Sequence, residues 1–342
     1  MGKKLKIVFL NIYQTQIDRG AETYVKELSE RLGKENNVVV LHSGGMPPRR
    51  WPILWRFFID RQGISILWWT IGLLPTLWRE KFDIVFLLNG GWQVILTRIV
   101  TWLYGGKIII SGQSGKGWDD RVNLLSFPDV FVALSSQNKK WAKSFNPLVR
   151  VEYIPNGADL DKFNPGGKKS DLKLGAPIIL CVGALIKNKR INLTIKAVAR
   201  LKRGNLVLAG DGPLKDEIQA LGNDLLGERF KYIGAVPFTN LPDVYRSADL
   251  FTLASVPFQS FEIVLVEAMA TNLAVVATDD PIRREIVAGG GILVDPVDIE
   301  VYTKALEKAL GAGWGNKPRL QAEKFSWDSI AEKYRLLIEN IL

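Results

Sequence analysis

The sequence predicts an α/β protein built on two mostly parallel sheets, and three observations lead there. Short β-branched, uncharged runs alternate with amphipathic helical stretches along nearly the whole chain, the pattern of parallel strands joined by crossover helices. The chain has 342 residues, enough for two domains. Near the middle lies V-E-Y-I-P-N-G-A-D-L-D-K-F-N-P, ending at Pro165. Its Pro and Gly residues suit a hinge, and the charge balance changes there. The expected division falls after residue 165, and an amphipathic helix at 327–342 ends the chain.

Charge is placed unevenly. The net charge is +10, and residues 1–150 hold 21 Lys and Arg against 11 Asp and Glu, while the remainder is balanced. Such asymmetry points to an anionic partner for the first half. No helix-turn-helix, zinc or RNA-binding signature accompanies it, so no nucleic acid partner is expected. The single cysteine, Cys181, lies in the apolar run I-I-L-C-V-G and reads as buried strand; it excludes an internal disulfide and fits a reducing compartment. His42, the single histidine, has no cluster of possible ligands around it, so no metal site is expected. No secretory signal is visible. The run 64–78 contains Gly72 and Pro75 and is short for a membrane span.

Taken in order, K-I-V-F-L-N opens the chain as a buried strand, and a helix follows at residues 21–32 with Tyr24, Val25, Leu28 and Leu32 on one face. Strand, loop and helix together open a Rossmann-like domain. A second strand covers 38–41. Residues 49–81 then interleave Trp51, Trp55, Phe57, Phe58, Trp68, Trp69 and Trp78 with Arg49, Arg50, Arg56, Arg61 and Arg79. Two readings stand: helices facing a core with their basic residues in water, or a surface that meets an anionic membrane. Strands follow at 82–88, 107–110 and 130–134, with a helix at 94–104. The polar loop S-G-Q-S-G-K-G-W-D-D after the 107–110 strand lies where open α/β sheets place ligands. In it, Asp119 and Asp120 either orient an acceptor or cap a helix, capping being favoured.

The second half repeats the alternation. A strand ends at Gly183, and strands at 205–209, 230–233 and 250–253 follow. The chain then enters S-V-P-F-Q-S-F-E-I-V-L-V-E-A-M-A-T-N-L-A-V-V-A-T-D-D-P, from Ser255. A helix at about 261–271 leads there to a buried strand at 273–278. A helix entered from such a loop offers free N–H groups and the positive end of its dipole to a phosphate. Glu267 sits among apolar neighbours. It either pairs with a nearby Arg or accepts hydrogen bonds from ligand hydroxyls.

This stretch resembles the Glu, seven residues, Glu segment of retaining nucleotide-sugar glycosyltransferases of the family 4 class, and the resemblance covers nearly the whole chain. It implies the B-type glycosyltransferase architecture, two facing Rossmann-like domains with an interdomain cleft, the first being residues 1–165 joined by the final helix at 327–342 and the second residues 166–326. It implies transfer of a sugar from a nucleotide-diphosphate donor, with retention, to an acceptor hydroxyl on a membrane lipid or a cell-surface polysaccharide precursor. A glycan or lipid-linked acceptor is the expected partner. No cofactor and no metal are implied, and the place of action is the cytoplasm or the inner face of the membrane. Residue by residue, Glu267 would hold the donor ribose and Lys189 the diphosphate, with Gly183 and Gly212 in the turns around it and Val236 near the base. Ile263 and Val264 would present the helix N-terminus. Gly20, in R-G-A-E, would approach the donor from the first domain, and Gln113 stands where the family often has a His.

Three departures matter. The family's first Glu is Gln259, its phosphate-binding Arg is Ala184, and the glycine that lets backbone approach the diphosphate is Glu262. A carboxylate about 4 Å from a phosphate costs about 1–4 kcal/mol, so Glu262 is expected to turn away from the donor. The departures support a rival reading, a non-catalytic protein that binds nucleotide sugar or glycan, or supports a partner enzyme.

Overall fold

The computed structural model describes residues 4–14, 20–45, 48, 51, 53–113, 116–258 and 261–342. The chain forms two compact units: Met1–Asn156 with Trp327–Leu342, and Gly157–Ser326.

The first unit has a six-stranded sheet of β1 (Lys6–Leu10), β2 (Asn37–Leu41), β3 (Ile84–Leu87), β4 (Lys107–Ser111), β5 (Val130–Ala133) and β6 (Val151–Tyr153). Their spatial order is β2-β1-β3-β4-β5-β6. The second unit has β7 (Ile178–Val182), β8 (Asn205–Ala209), β9 (Phe230–Gly234), β10 (Leu250–Leu253), β11 (Val275–Thr278) and β12 (Gly291–Val294), ordered β12-β11-β10-β7-β8-β9. Every strand pairing is parallel, as the alternation predicts. The central strands are buried on both faces, which is why they read as unbroken apolar runs. The order reverses between β1 and β3 in one sheet and between β7 and β10 in the other. These are the switch points where loops diverge and leave room for ligands.

The unit boundary falls at Asn156/Gly157, not at 165/166. Residues 157–165 pack on the second unit for an electrostatic reason. Arg246 donates to the carbonyls of Asn164 and Lys162 at 2.8 and 2.9 Å, and Arg319 to that of Phe163 at 2.8 Å. The expected hinge also contains β6, an edge strand. The helix Ile263–Ala270 starts two residues later than expected, because Glu262 takes a left-handed conformation (φ 58°, ψ 67°) just before it.

The final helix, Trp327–Glu339, completes the first unit's core. Trp327 and Tyr334 are buried against Tyr24 of helix Gly20–Leu32, and Tyr334 meets Phe86 of β3 edge-on, 5.9 Å between centroids. Arg31 bonds both Glu27, at 2.6 Å, and Asp328, at 2.7 Å, closing the two helices together.

The aromatic, basic segment divides between the two readings given for it. Residues 61–80 form one helix, capped by Asp60 and containing Pro75. Ile66 and Leu77 face inward and Trp69 packs on the core. Ile64, Trp68, Ile71 and Trp78, spaced at helical intervals, face solvent, Trp68 with 67% exposure. The helix Trp92–Tyr104 beside it puts Val94 in the core, with Val100 packed against it. Gln93, Thr97 and Thr101 are buried, while Ile95, Ile99, Trp102 and Leu103 are exposed, Trp102 by 73%. The turn Leu54–Phe57 is clipped to the unit by indole N–H groups, Trp92 donating to Phe58 O at 2.9 Å and Trp118 to Arg56 O at 2.5 Å. Arg49 and Arg50 lie outside the described residues.

Removing a fully buried aromatic costs about 3–5 kcal/mol. Tyr334→Ala is therefore expected to lower the first unit's urea midpoint sharply, and equilibrium unfolding followed by tryptophan fluorescence measures it.

Candidate functional site

The second unit's switch point is assembled by close backbone contact. Gly183, just after β7, donates to Ala209 O at 3.0 Å, and Leu185 N donates to Asp211 O at 2.9 Å. The loop after β8 must lie against this turn. A Cβ on Gly210 would sit 1.9 Å from Gly183 O, and one on Gly212 would sit 2.7 Å from Leu185 O; both glycines have positive φ. No L side chain fits either place without moving backbone. Gly183 and Gly212 thus set the position of the following turn, Lys187–Lys189.

That turn delivers Lys189 to Glu262. The Lys189 Nζ lies 2.5 Å from Glu262 Oε2, and Arg283 Nη2 lies 3.4 Å from Glu262 Oε1. Arg283 also pairs with Asp280. The expectation that Glu262 turns away is corrected: its side chain points in, 6% exposed. The cause is local charge, since the two cations that follow β7 and β11, Lys189 and Arg283, require a carboxylate between them. The backbone there is strained, for a left-handed non-glycine costs about 1–2 kcal/mol. Asp280 caps the helix Pro281–Val287 through Ile282 N and Arg283 N, at 2.8 and 3.0 Å. Burial lowers the Arg283 pKa, and Glu262 works against that by favouring the charged form.

Two arginines fix the loop after β10. Arg190 donates to Ala254 O at 2.7 Å and Ser255 O at 2.9 Å. Arg283 donates to Ser255 Oγ at 2.6 Å. Arg190 is thereby committed to backbone carbonyls. Ile263 is buried and Val264 half-buried at the head of their helix. Glu267 is buried one turn further on, accepting a hydrogen bond from Tyr245 Oη at 3.0 Å. Burial and the Glu267 charge push the Tyr245 phenol well above its usual pKa. Val236 is half-buried in the loop after β9. Gln259 lies outside the described residues.

The first unit has its own concavity at the β1/β3 switch point. About 470 Å³ is enclosed by residues that include Asn11, Asn89, Ser111, Gln113, Asp119 and Asp120. Gln113 exchanges amide hydrogen bonds with Asn156, at 2.9 and 3.3 Å, and donates to Ser111 Oγ at 2.8 Å. Gly20 opens the helix behind this pocket, next to the undescribed residues 15–19. Neither Asp119 nor Asp120 is a cap: Gly117 holds the N-cap position of helix Trp118–Leu125, and both carboxylates lie in its first turn. Burial, with Asp119 adding to it, pushes the Asp120 carboxyl well above the usual range.

Arg283, Asp280, Ser255 and Tyr245 were not foreseen as parts of the site. Arg283 and Asp280 lie in D-D-P-I-R-R, where an acidic cap followed three residues later by Arg is itself an ion-pairing signal. Tyr245 carried no signal in sequence.

Residues 176–312 match the family model described as glycosyl transferases group 1. The second unit is therefore a glycosyl transferases group 1 domain, and the two-sheet architecture is the B-type glycosyltransferase fold. Over 198 residues, 52% of each chain, the protein is 28% identical to a GDP-mannose-dependent alpha-(1-6)-phosphatidylinositol monomannoside mannosyltransferase of Mycolicibacterium smegmatis. It is 36% identical over 196 residues to the N-acetylgalactosamine-N,N'-diacetylbacillosaminyl-diphospho-undecaprenol 4-alpha-N-acetylgalactosaminyltransferase of Campylobacter jejuni, covering 53% of this chain and 52% of that one. The chain spans about half the length of the curated relatives it matches. Among solved structures, sucrose-phosphate synthase from Thermosynechococcus elongatus superposes with a TM-score of 0.82 at 19% identity over 99% of both chains. Anabaena HepE in complex with UDP and glucose gives 0.74 at 16% identity, over 98% of this chain and 99% of that one. These two likenesses establish the fold.

Cys181 is buried beneath the Lys189 turn, and burial raises its thiol from 9.0 to about 12. A raised thiol pKa contributes stability in full below about pH 9, and that contribution is lost as the pH climbs toward 12. The native protein is accordingly expected to resist iodoacetamide at pH 8, whereas protein in concentrated urea is alkylated at once; mass spectrometry distinguishes the two.

Proposed function

We propose that the protein is a retaining glycosyltransferase that moves a sugar from a nucleotide-diphosphate donor to an acceptor hydroxyl without a required metal. The observation that carries this reading is Lys189, held beside the N-terminus of helix Ile263–Ala270 at the switch point of a glycosyl transferases group 1 domain. The lysine and the helix dipole suit a leaving diphosphate. Glu267, within the same helix, suits the ribose hydroxyls. Gln113, in the first unit's polar pocket, suits the acceptor or donor sugar.

The named activities of the relatives supply the finer part. One acts on a phosphatidylinositol mannoside and another on a diphospho-undecaprenol sugar. We infer a lipid-linked or glycan acceptor and action at the inner face of a membrane. The exposed rows on helices Arg61–Glu80 and Trp92–Tyr104, in a half-chain with a net charge of +10, support contact with anionic lipid. Among the described residues no helix is long and apolar enough to cross a membrane.

One observation favours the rival, a nucleotide-sugar or glycan binder without activity: Lys189 is already paired with Glu262. A transfer assay decides between them.

Ligands that favour the native state raise its apparent stability. In a thermal-shift screen of UDP, GDP, ADP and their sugar conjugates, one diphosphate is expected to raise the melting temperature and to support transfer. Loss of one charge-assisted contact is worth about 1.5–3 kcal/mol, so Lys189→Ala should weaken that ligand by about tenfold or more; unchanged affinity would sink the role given to Lys189. Co-sedimentation tests the surface. The protein is expected to pellet with vesicles rich in phosphatidylglycerol and not with pure phosphatidylcholine, and the double variant Trp68→Ser, Trp102→Ser is expected to stay in solution.

A further inference from the structure

The Glu262 carboxylate is shared between Lys189 and Arg283, 2.5 and 3.4 Å from its two oxygens. Arg283 is sealed in, with a side chain 1% exposed, and has Asp280 as a second counter-ion. The Lys189 side chain keeps 17% exposure, against 4% for Glu262. Lys189 is therefore the member of the group that an incoming anion reaches. Glu262 and Asp280 face Lys189 and Arg283, and the neighbouring Arg190 is held on the carbonyls of Ala254 and Ser255, so such an anion meets a lysine already paired.

We propose that Glu262 is a specificity-determining residue, a resident counter-ion that a donor must displace from Lys189. This rests on the nucleotide-sugar reading above. When a phosphoryl oxygen takes Lys189, the Glu262 carboxylate stays compensated by Arg283, so no buried charge is stranded. The exchange of one anion for another at Lys189 yields less than the same contact with an unpaired lysine would. An anion with charge as its main asset, such as inorganic phosphate or pyrophosphate, therefore gains little at this site. A nucleoside diphosphate brings base and ribose contacts elsewhere in the domain and overcomes the exchange. Glu262 thus separates nucleotide donors from the free phosphates that accompany them. The backbone fits this role. Glycine would adopt the left-handed conformation at residue 262 without strain, yet the position holds the one side chain type that reaches both cations and opposes phosphate.

The test is calorimetric titration of pyrophosphate, UDP, GDP and ADP into the wild-type protein, Glu262→Gln and Glu262→Asp. The Gln variant keeps the shape and loses the charge. The Asp variant keeps the charge but is one methylene shorter, so it reaches both cations less closely while no buried cation loses its counter-charge outright. Pyrophosphate is expected to bind about tenfold tighter to Glu262→Gln than to wild type, with Glu262→Asp in between, and to gain more than the nucleoside diphosphate does. If a nucleoside diphosphate binds but neither variant binds pyrophosphate more tightly than wild type, the role of Glu262 is overturned. If no nucleoside diphosphate binds any of the three proteins, the nucleotide-sugar reading fails, and the pyrophosphate series still reports on Glu262.

Discussion

The second unit turns on a single carboxylate. Glu262, after β10, accepts the cations that follow β7 and β11, and around that contact Arg283, Asp280, Arg190 and Ser255 fall into a closed network. Breaking a buried pair by removing one partner strands a charge at a cost of about 3–5 kcal/mol. The left-handed backbone at residue 262 is tolerated because this electrostatic demand exceeds the strain. The same contact sets the start of helix Ile263–Ala270 and fixes the turn that presents Lys189. Geometry and charge at the site are therefore one problem with one solution.

Much of the fold was legible because its strands are buried on both faces. Runs such as I-V-F-L and V-V-A-T have no polar alternation to blur them. The two strands that were not recognised, β6 and β12, are both sheet edges. The first has three residues and runs into the Pro-Gly segment, and the second starts at a glycine; neither composition announces a strand. The candidate site was legible as residue types and not as partners. Lys189 and Glu262 were both singled out, but they are 73 positions apart. Their meeting depends on β7 lying beside β10, a neighbour relation set by sheet order. Glu267 was marked as a costly buried carboxylate, correctly in physical terms, yet Tyr245, which donates to it, is reached only through the packing of two helices.

The first unit combines opposite surfaces. Its half of the sequence is basic, while its concavity is lined by Asp119, Asp120 and amide side chains. The helix Trp92–Tyr104 buries Gln93, whose Oε1 accepts from Asn89 N at 3.0 Å, together with Val94, and leaves Ile95, Ile99, Trp102 and Leu103 outside. Its inward face is thus partly given to polar side chains, Gln93, Thr97 and Thr101 beside Val94, and four of its large hydrophobic residues face outward. An apolar surface of that kind is atypical of a protein that meets only water.

The last helix has a consequence for synthesis. Residues 157–326 are one uninterrupted stretch, whereas the first unit needs Trp327, Tyr334 and the Arg31–Asp328 pair to close its core. On the ribosome the first unit's sheet emerges early but waits, with Tyr24 and Phe86 uncovered, until the whole of the second unit has been made. At about 5–20 residues per second, that interval is on the order of ten seconds to half a minute. The half translated first is thus the half finished last.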